Sequence, residues 1–336
     1  MSRRDQSRHE SGGVSDTAFC GAGLQMGGKM RTFRQTLLIF VLLVSALAAQ
    51  APCVKDGQRI LFLGDSITQD GRYVEDIEAF LIVNYPKLHV DIIKLGLSSE
   101  TTEGLTEPGH PFPRPNIHDR LDSALEKAKP DIVVACYGMN DGIYHPFSEE
   151  RFQAYQDGVR KLIARVRAAG ATVVLVTPPP FDAVSAKAKV VSAGAPQFGY
   201  NTPYDKYDSE VLERYGEWLL TLRGEDLMVI DVHRPMVEEV KTQREKKPDF
   251  TLAEDGVHPE AEGHWIMARA VLQAWGVSDP QAPRPDVLEI IHQKWQVLGP
   301  AWLARVGHKG NPKPVDFEAA SAAAEELERK ARALVR

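Results

Sequence analysis

The sequence predicts an α/β protein in which a central parallel sheet of about five strands is covered by helices on both faces. Two observations carry this. Five short, almost continuously apolar runs recur along the chain, and between them lie longer stretches whose apolar residues fall at helical spacing. Strands that are apolar throughout are buried on both faces, and parallel neighbours need crossovers long enough to hold a helix. The length of 336 residues suits one sizeable α/β domain with an appendage.

The elements follow in order. Residues 59–64 form the first strand, ending in a turn signal, and 73–83 place apolar residues on one helical face. A second strand is predicted over 89–97 and a helix over 116–129, halted by Pro130. The run 131–136 is a buried strand, 148–169 a long helix stopped at Gly170, and 171–177 a strand closed by the triple proline 178–180. A helix over 206–223, a strand over 227–231 and a helix over 262–275 complete an α/β region spanning 58–276. Residues 180–205, rich in Pro, Gly and Ala, interrupt this rhythm as a loop over the strand ends. Residues 277–336 are a Pro-rich linker and two helices, about 285–306 and 316–335, expected to pack as an appendage.

Ahead of the domain, residues 1–48 read as a disordered leader followed by a secretory signal. Arg31 and Arg34 precede the apolar stretch 37–47, and Ala46-Leu47-Ala48 supplies small residues for cleavage, so Met30 (or Met26) is the expected start. The apolar stretch falls short of the roughly 20 residues that span a bilayer. Export to the periplasm or the medium is expected, with no stable membrane insertion once the signal is removed; an uncleaved signal that stays as a membrane anchor is the alternative. The formal charge of −6 argues against a nucleic-acid partner, which would need a basic surface. Cys20, Cys53 and Cys136 make no disulfide framework and no Cys/His cluster suited to zinc, and no metal site is expected.

In such sheets ligands bind at the carboxyl ends of the strands, and three motifs fall there. Gly64-Asp65-Ser66-Ile67-Thr68 ends the first strand. Alone it reads equally as a nucleophile beside backbone N–H donors or as a turn and helix cap. Asp255-Gly256-Val257-His258-Pro259 tips the balance. A serine hydroxyl needs a base to take its proton, and the base needs a third group to orient it. An Asp three residues before the His, across a glycine, reaches back to Nδ1. Gly138-Met139-Asn140-Asp141 ends the third strand, where the Asn140 amide suits a developing oxyanion as well as it suits a turn.

Taken together, GDSIT, GMND and DGVHP resemble the SGNH (GDSL) hydrolase family over residues 58–276. The resemblance implies a flavodoxin-like three-layer α/β/α sandwich, with Ser66, Asp255 and His258 on the triad positions and Asn140 on the oxyanion-hole asparagine. The backbone N–H of Ser66 is a second donor. The family's remaining block, Asn-x-Gly-x-Ser-Gly-x-Thr, corresponds to Lys94-Leu95-Gly96-Leu97-Ser98-Ser99-Glu100-Thr101. Gly96 is retained, whereas the glycine whose N–H completes the hole is Ser99 and the asparagine is Lys94. The chemistry so implied is ester hydrolysis through an acyl-enzyme, without cofactor or metal. Small acyl esters, O-acetyl groups on carbohydrate first, are the expected substrates. A lipase or lysophospholipase with 181–204 as its lid is the alternative, and a non-catalytic carbohydrate-binding module the alternative of another class. Asp65, His110, Arg114 and His145 border the strand ends as candidate substrate contacts, and His264 reads as structural.

Overall fold

The computed structural model describes residues 53–224, 226–308 and 314–335. The expected leader and signal over 1–48, with Cys20, lie outside them. Among the described residues no helix is long and apolar enough to cross a membrane.

Five parallel strands run in the order β2-β1-β3-β4-β5. They are β1 (Arg59–Gly64), β2 (Asp91–Gly96), β3 (Ile132–Cys136), β4 (Thr172–Val176) and β5 (Met228–Ile230). β1 and β3 are buried from their second residue onward, as continuous apolar runs demand. The helices before the sheet closes are α1 (Ser66–Asp70), α2 (Arg72–Asn84), α3 (Leu121–Ala128), α4 (Glu149–Ala168) and α5 (Glu213–Thr221). The chain steps from β1 outward to β2, then crosses back to β3 and onward to β5. Right-handed crossovers therefore put α2 on the face opposite α3, α4 and α5. After the last strand come α6 (His233–Arg244) and α7 (Ala261–Ala274), and α7 packs beside α2, completing a three-layer sandwich.

Three departures from the periodicity have local causes. The helix expected over 116–129 is a single tight turn, Ile117–Asp119, and then α3, because Arg120 leaves helical geometry to bury its guanidinium against Glu100. The helix expected from 206 opens as a wide turn at Asp208–Leu212 before α5 begins. Helix α6 escapes hydrophobic patterning because it buries only His233 and Met236.

The carboxy-terminal helices α8 (Pro285–Val306) and α9 (Phe317–Ala333) are pinned to the sandwich by ions as well as by apolar contact. Lys294, buried, bridges Glu78 of α2 and Glu328 of α9, while Trp295 Nε1 donates to the other Glu78 oxygen at 2.7 Å. Buried Ala320, Ala324 and Ala331 let α9 lie close against α8. Lys94, which stands where the family motif has asparagine, belongs to this side of the molecule. Its ammonium binds Glu75 Oε1 and the Asp70 carbonyl, each at 2.6 Å, and so ties β2 to α1 and α2.

Candidate active site

The strand register gathers the motifs. Gly64, Gly96 and Cys136 are paired at the carboxyl ends of β1, β2 and β3. Ser66, Ser99 and Asn140 follow these by two, three and four residues, at the point where the strand order reverses. Gly96 is needed for packing there, since a Cβ would lie 2.1 Å from the Gln69 nitrogen of α1.

Ser66 is the first residue of α1 and is half-buried. Its Oγ lies 2.8 Å from His258 Nε2, and His258 Nδ1 lies 2.7 Å from Asp255 Oδ2. The Asp is held by its own loop: the backbone N–H groups of Val257 and His258 both donate to Oδ1 at 2.8 Å. Gly256, at φ +82°, makes this turn, and a Cβ would meet Ala186 Cβ and the Asp182 carbonyl at 2.7 Å. Tyr200 of the 180–205 loop adds its hydroxyl to Asp255 Oδ2 at 3.3 Å. That loop is thus fastened to the site, with Phe181 and Tyr204 buried.

The electrostatics follow from these contacts. Burial by itself raises the Asp255 pKa, but the hydrogen bonds from the His258 ring and the two N–H groups outweigh it and hold the carboxylate well below its ordinary range. The bond to Asp255 raises the His258 imidazole above its usual value, against a smaller opposing effect of burial. A base of raised affinity, hydrogen-bonded to a hydroxyl and oriented by an ionised carboxylate, can take that hydroxyl's proton.

Asn140 is held from behind. Its Oδ1 accepts from Arg114 Nη1 at 2.9 Å and from the Tyr144 hydroxyl at 3.1 Å. Arginine only donates, so the oxygen must face Arg114 and the Nδ2 group the other way, where one bond reaches the Glu100 carbonyl at 3.4 Å. Ile143 and Tyr144, at φ +46° and +59°, occupy the left-handed region. Such a conformation is costly for a β-branched residue, by about 1–3 kcal/mol, and here it brings Tyr144 back beneath Asn140. Buried Asp141 anchors the same loop by accepting from the Thr102 N–H and hydroxyl, each at 2.7 Å.

Two expected substrate contacts are corrected by their burial. Asp65 is 2% exposed and caps α1 by accepting from the Ile67 N–H. With its charge penalised by burial, its pKa is pushed up to about 7. The Arg114 side chain is 1% exposed and paired with Glu107. His110 is bonded to the Phe112 carbonyl of its own loop. His145 packs against Phe198, and burial lowers its pKa. His264 is buried, stacked on Tyr73 and 3.0 Å from Asp70 Oδ2, as a structural histidine would be. Glu107, Tyr144 and Tyr200 carry no motif of their own, and only their positions in the loops after β2, β3 and β4 hinted at them. Among the described residues no three His, Cys, Asp or Glu side chains converge to hold a metal ion.

Residues 62–266 match the GDSL-like Lipase/Acylhydrolase family, a span that contains all four motif-borne side chains. The chain belongs to that family. It is a GDSL-type carboxylic ester hydrolase. An acetylxylan esterase of Geobacillus stearothermophilus is 25% identical over 244 residues, which are 66% of this chain and 96% of the relative. Among solved structures, a gut microbial diltiazem-metabolizing enzyme superposes with a TM-score of 0.53 at 22% identity, over 66% of this chain. The chain spans 48% of that enzyme's length. A variant of the Geobacillus acetyl-xylooligosaccharide esterase gives 0.50 at 23% identity, over 68% of this chain and 99% of its own. These likenesses match the GDSL sandwich fold.

Proposed function

We propose that this GDSL hydrolase removes O-acetyl groups from carbohydrate, with Ser66 as nucleophile, His258 as general base and acid, and Asp255 as the group that orients the imidazole. The observation that carries the reading is the aligned pair of contacts, 2.8 Å from Ser66 Oγ to His258 and 2.7 Å from His258 to Asp255. His258 takes the Ser66 proton as Oγ attacks the acetyl carbonyl. The tetrahedral oxyanion is held by Asn140 Nδ2 and the N–H groups of Ser66 and Ser99. His258 then gives its proton to the sugar oxygen, the C–O bond breaks, and the alcohol leaves. Water, deprotonated by the same imidazole, attacks the acetyl-serine and restores Ser66.

The acetylated-sugar substrate is favoured by the acetylxylan esterase relative and by a 180–205 loop bonded down onto Asp255 and Gly256, unlike a free apolar lid. The export signal expected within 30–48 would put the enzyme where polysaccharides lie. The test is acetate release from acetylated xylo-oligosaccharides by wild type and Ser66→Ala, beside 4-nitrophenyl acetate and octanoate. Wild-type release that Ser66→Ala abolishes is expected. Turnover of octanoate alone would move the substrate to lipid esters, and turnover that survives Ser66→Ala would remove the triad.

A further inference from the structure

The Arg114–Glu107 ion pair is too well enclosed to meet a substrate and too close to Asn140 to be a bystander. Arg114 Nε and Nη2 grip the two Glu107 oxygens at 2.7 Å each. Its remaining nitrogen, Nη1, donates to Asn140 Oδ1 at 2.9 Å and reaches the Ser99 carbonyl at 3.4 Å. Both carboxylate and guanidinium side chains are at most 3% exposed. Isolated buried ions are costly, and such a pair persists when its polar atoms are paired, as each of the three Arg114 side-chain nitrogens is here. Glu107 also accepts the Tyr200 N–H, and the Tyr200 hydroxyl reaches Asp255. One chain of contacts therefore joins the triad carboxylate to the back of Asn140.

We propose that Arg114, clamped by Glu107, is the positioning residue of the oxyanion hole: it turns Asn140 Nδ2 toward Ser66 and fixes the Ser98-Ser99 turn. The inference rests on the esterase reading above. It also accounts for serine at 99, where φ is +65° and glycine would be unstrained. A carbonyl restrained from Arg114 keeps the turn in place without glycine. A cation behind Oδ1 further polarises the amide, making Nδ2–H a stronger donor to negative charge.

A double-mutant cycle on 4-nitrophenyl acetate tests this with Arg114→Lys, Asn140→Ala and the pair. Lysine keeps the charge but cannot hold Glu107 and Asn140 as one planar fork. Asn140→Ala should lower kcat by about 10²–10³-fold. Arg114→Lys should lower it by about 10–100-fold with KM within about twofold, and the double variant should be no slower than Asn140→Ala. The acid limb of the pH profile, set by His258, should stay where it is. Factors that multiply in the double variant, or Arg114→Lys at the wild-type kcat, would overturn the proposal. If Arg114→Lys does not fold, Tyr144→Phe removes the other Oδ1 donor and must show the same non-additivity with Asn140→Ala. Independent factors there overturn the proposal equally. A wild type inactive on the acetyl ester would instead strike the esterase reading, and the positioning role with it.

Discussion

His258 and Asp255 have side chains 40% and 30% exposed, whereas Asn140 is 4% exposed and the Arg114 side chain behind it 1%. The two arms that the proposed function joins at Ser66 are thus built in opposite media. The difference matches what the proposed mechanism asks of each. A proton carrier has to exchange with water and pass its proton to a departing alcohol, so a half-open imidazole tuned by one carboxylate serves it. A dipole that only has to point at developing charge gains from a low dielectric and from having nowhere else to turn. The open arm is held by a short loop, Asp255–His258. The closed arm draws on residues 99, 107, 114, 140 and 144, which come from the loops after β2 and β3.

Removing the proposed nucleophile should have the largest effect. Ser66→Ala should lower kcat on acetyl esters by about 10⁴–10⁶-fold while the fold is retained, read by steady-state acetate release and thermal unfolding. Next is the open arm alone. Asp255→Asn should cost on the order of 10⁴-fold, because the amide can hold the wrong imidazole tautomer. The sign of its pH effect is fixed. The wild-type imidazole is raised by Asp255, and only its neutral form is a base, so wild-type activity falls as pH drops through a value above about 6.5. Without the carboxylate that acid limb moves to lower pH in the residual activity, whereas changes to the closed arm leave it in place. A limb unmoved in Asp255→Asn would mean that another group sets it.

The sequence made the open arm legible and the closed arm mostly not, for a physical reason. The proposed triad needs particular residue types beside a strand end and at a tight turn, so Ser66, Asp255 and His258 stand in short motifs. The five strands and most helices were legible through periodicity, because burial on one face or two imposes it. A buried ion pair needs only complementary charges that meet in space. Glu107 and Arg114 sit in a Pro-rich stretch that reads as a solvated loop until its burial is seen. The same holds for Lys294 with Glu78, whose partners are 216 residues apart. Charge in a sequence suggests surface, and where tertiary structure pairs it that expectation fails.

A smaller effect probes the joint between the arms. Tyr200→Phe removes the hydroxyl 3.3 Å from Asp255 Oδ2 and leaves the ring and the Tyr200 N–H to Glu107 in place. One hydrogen bond to an ionised carboxylate is worth about 1.5–3 kcal/mol and less when long and half-exposed, so kcat should fall by no more than about 100-fold. A loss approaching that of Asp255→Asn would show that the 180–205 loop, and not the turn at Gly256, orients the carboxylate.

Ser99→Gly is the mildest change and asks what the closed arm does with a strained residue. At φ +65° a Cβ costs about 1–2 kcal/mol, while glycine loses about 0.5–1 kcal/mol more chain entropy on folding. The difference favours glycine by about 0.5–1 kcal/mol, or a rise in Tm of roughly 1–4 °C for a domain of this size. If only the backbone N–H at 99 faces the oxyanion, kcat should stay within about twofold, since both residues carry that N–H. A drop beyond about tenfold, with the fold intact, would give the Ser99 hydroxyl a part of its own in holding the substrate. Serine would then stand at 99 for its side chain, and the strain at that turn would be the cost of keeping it there.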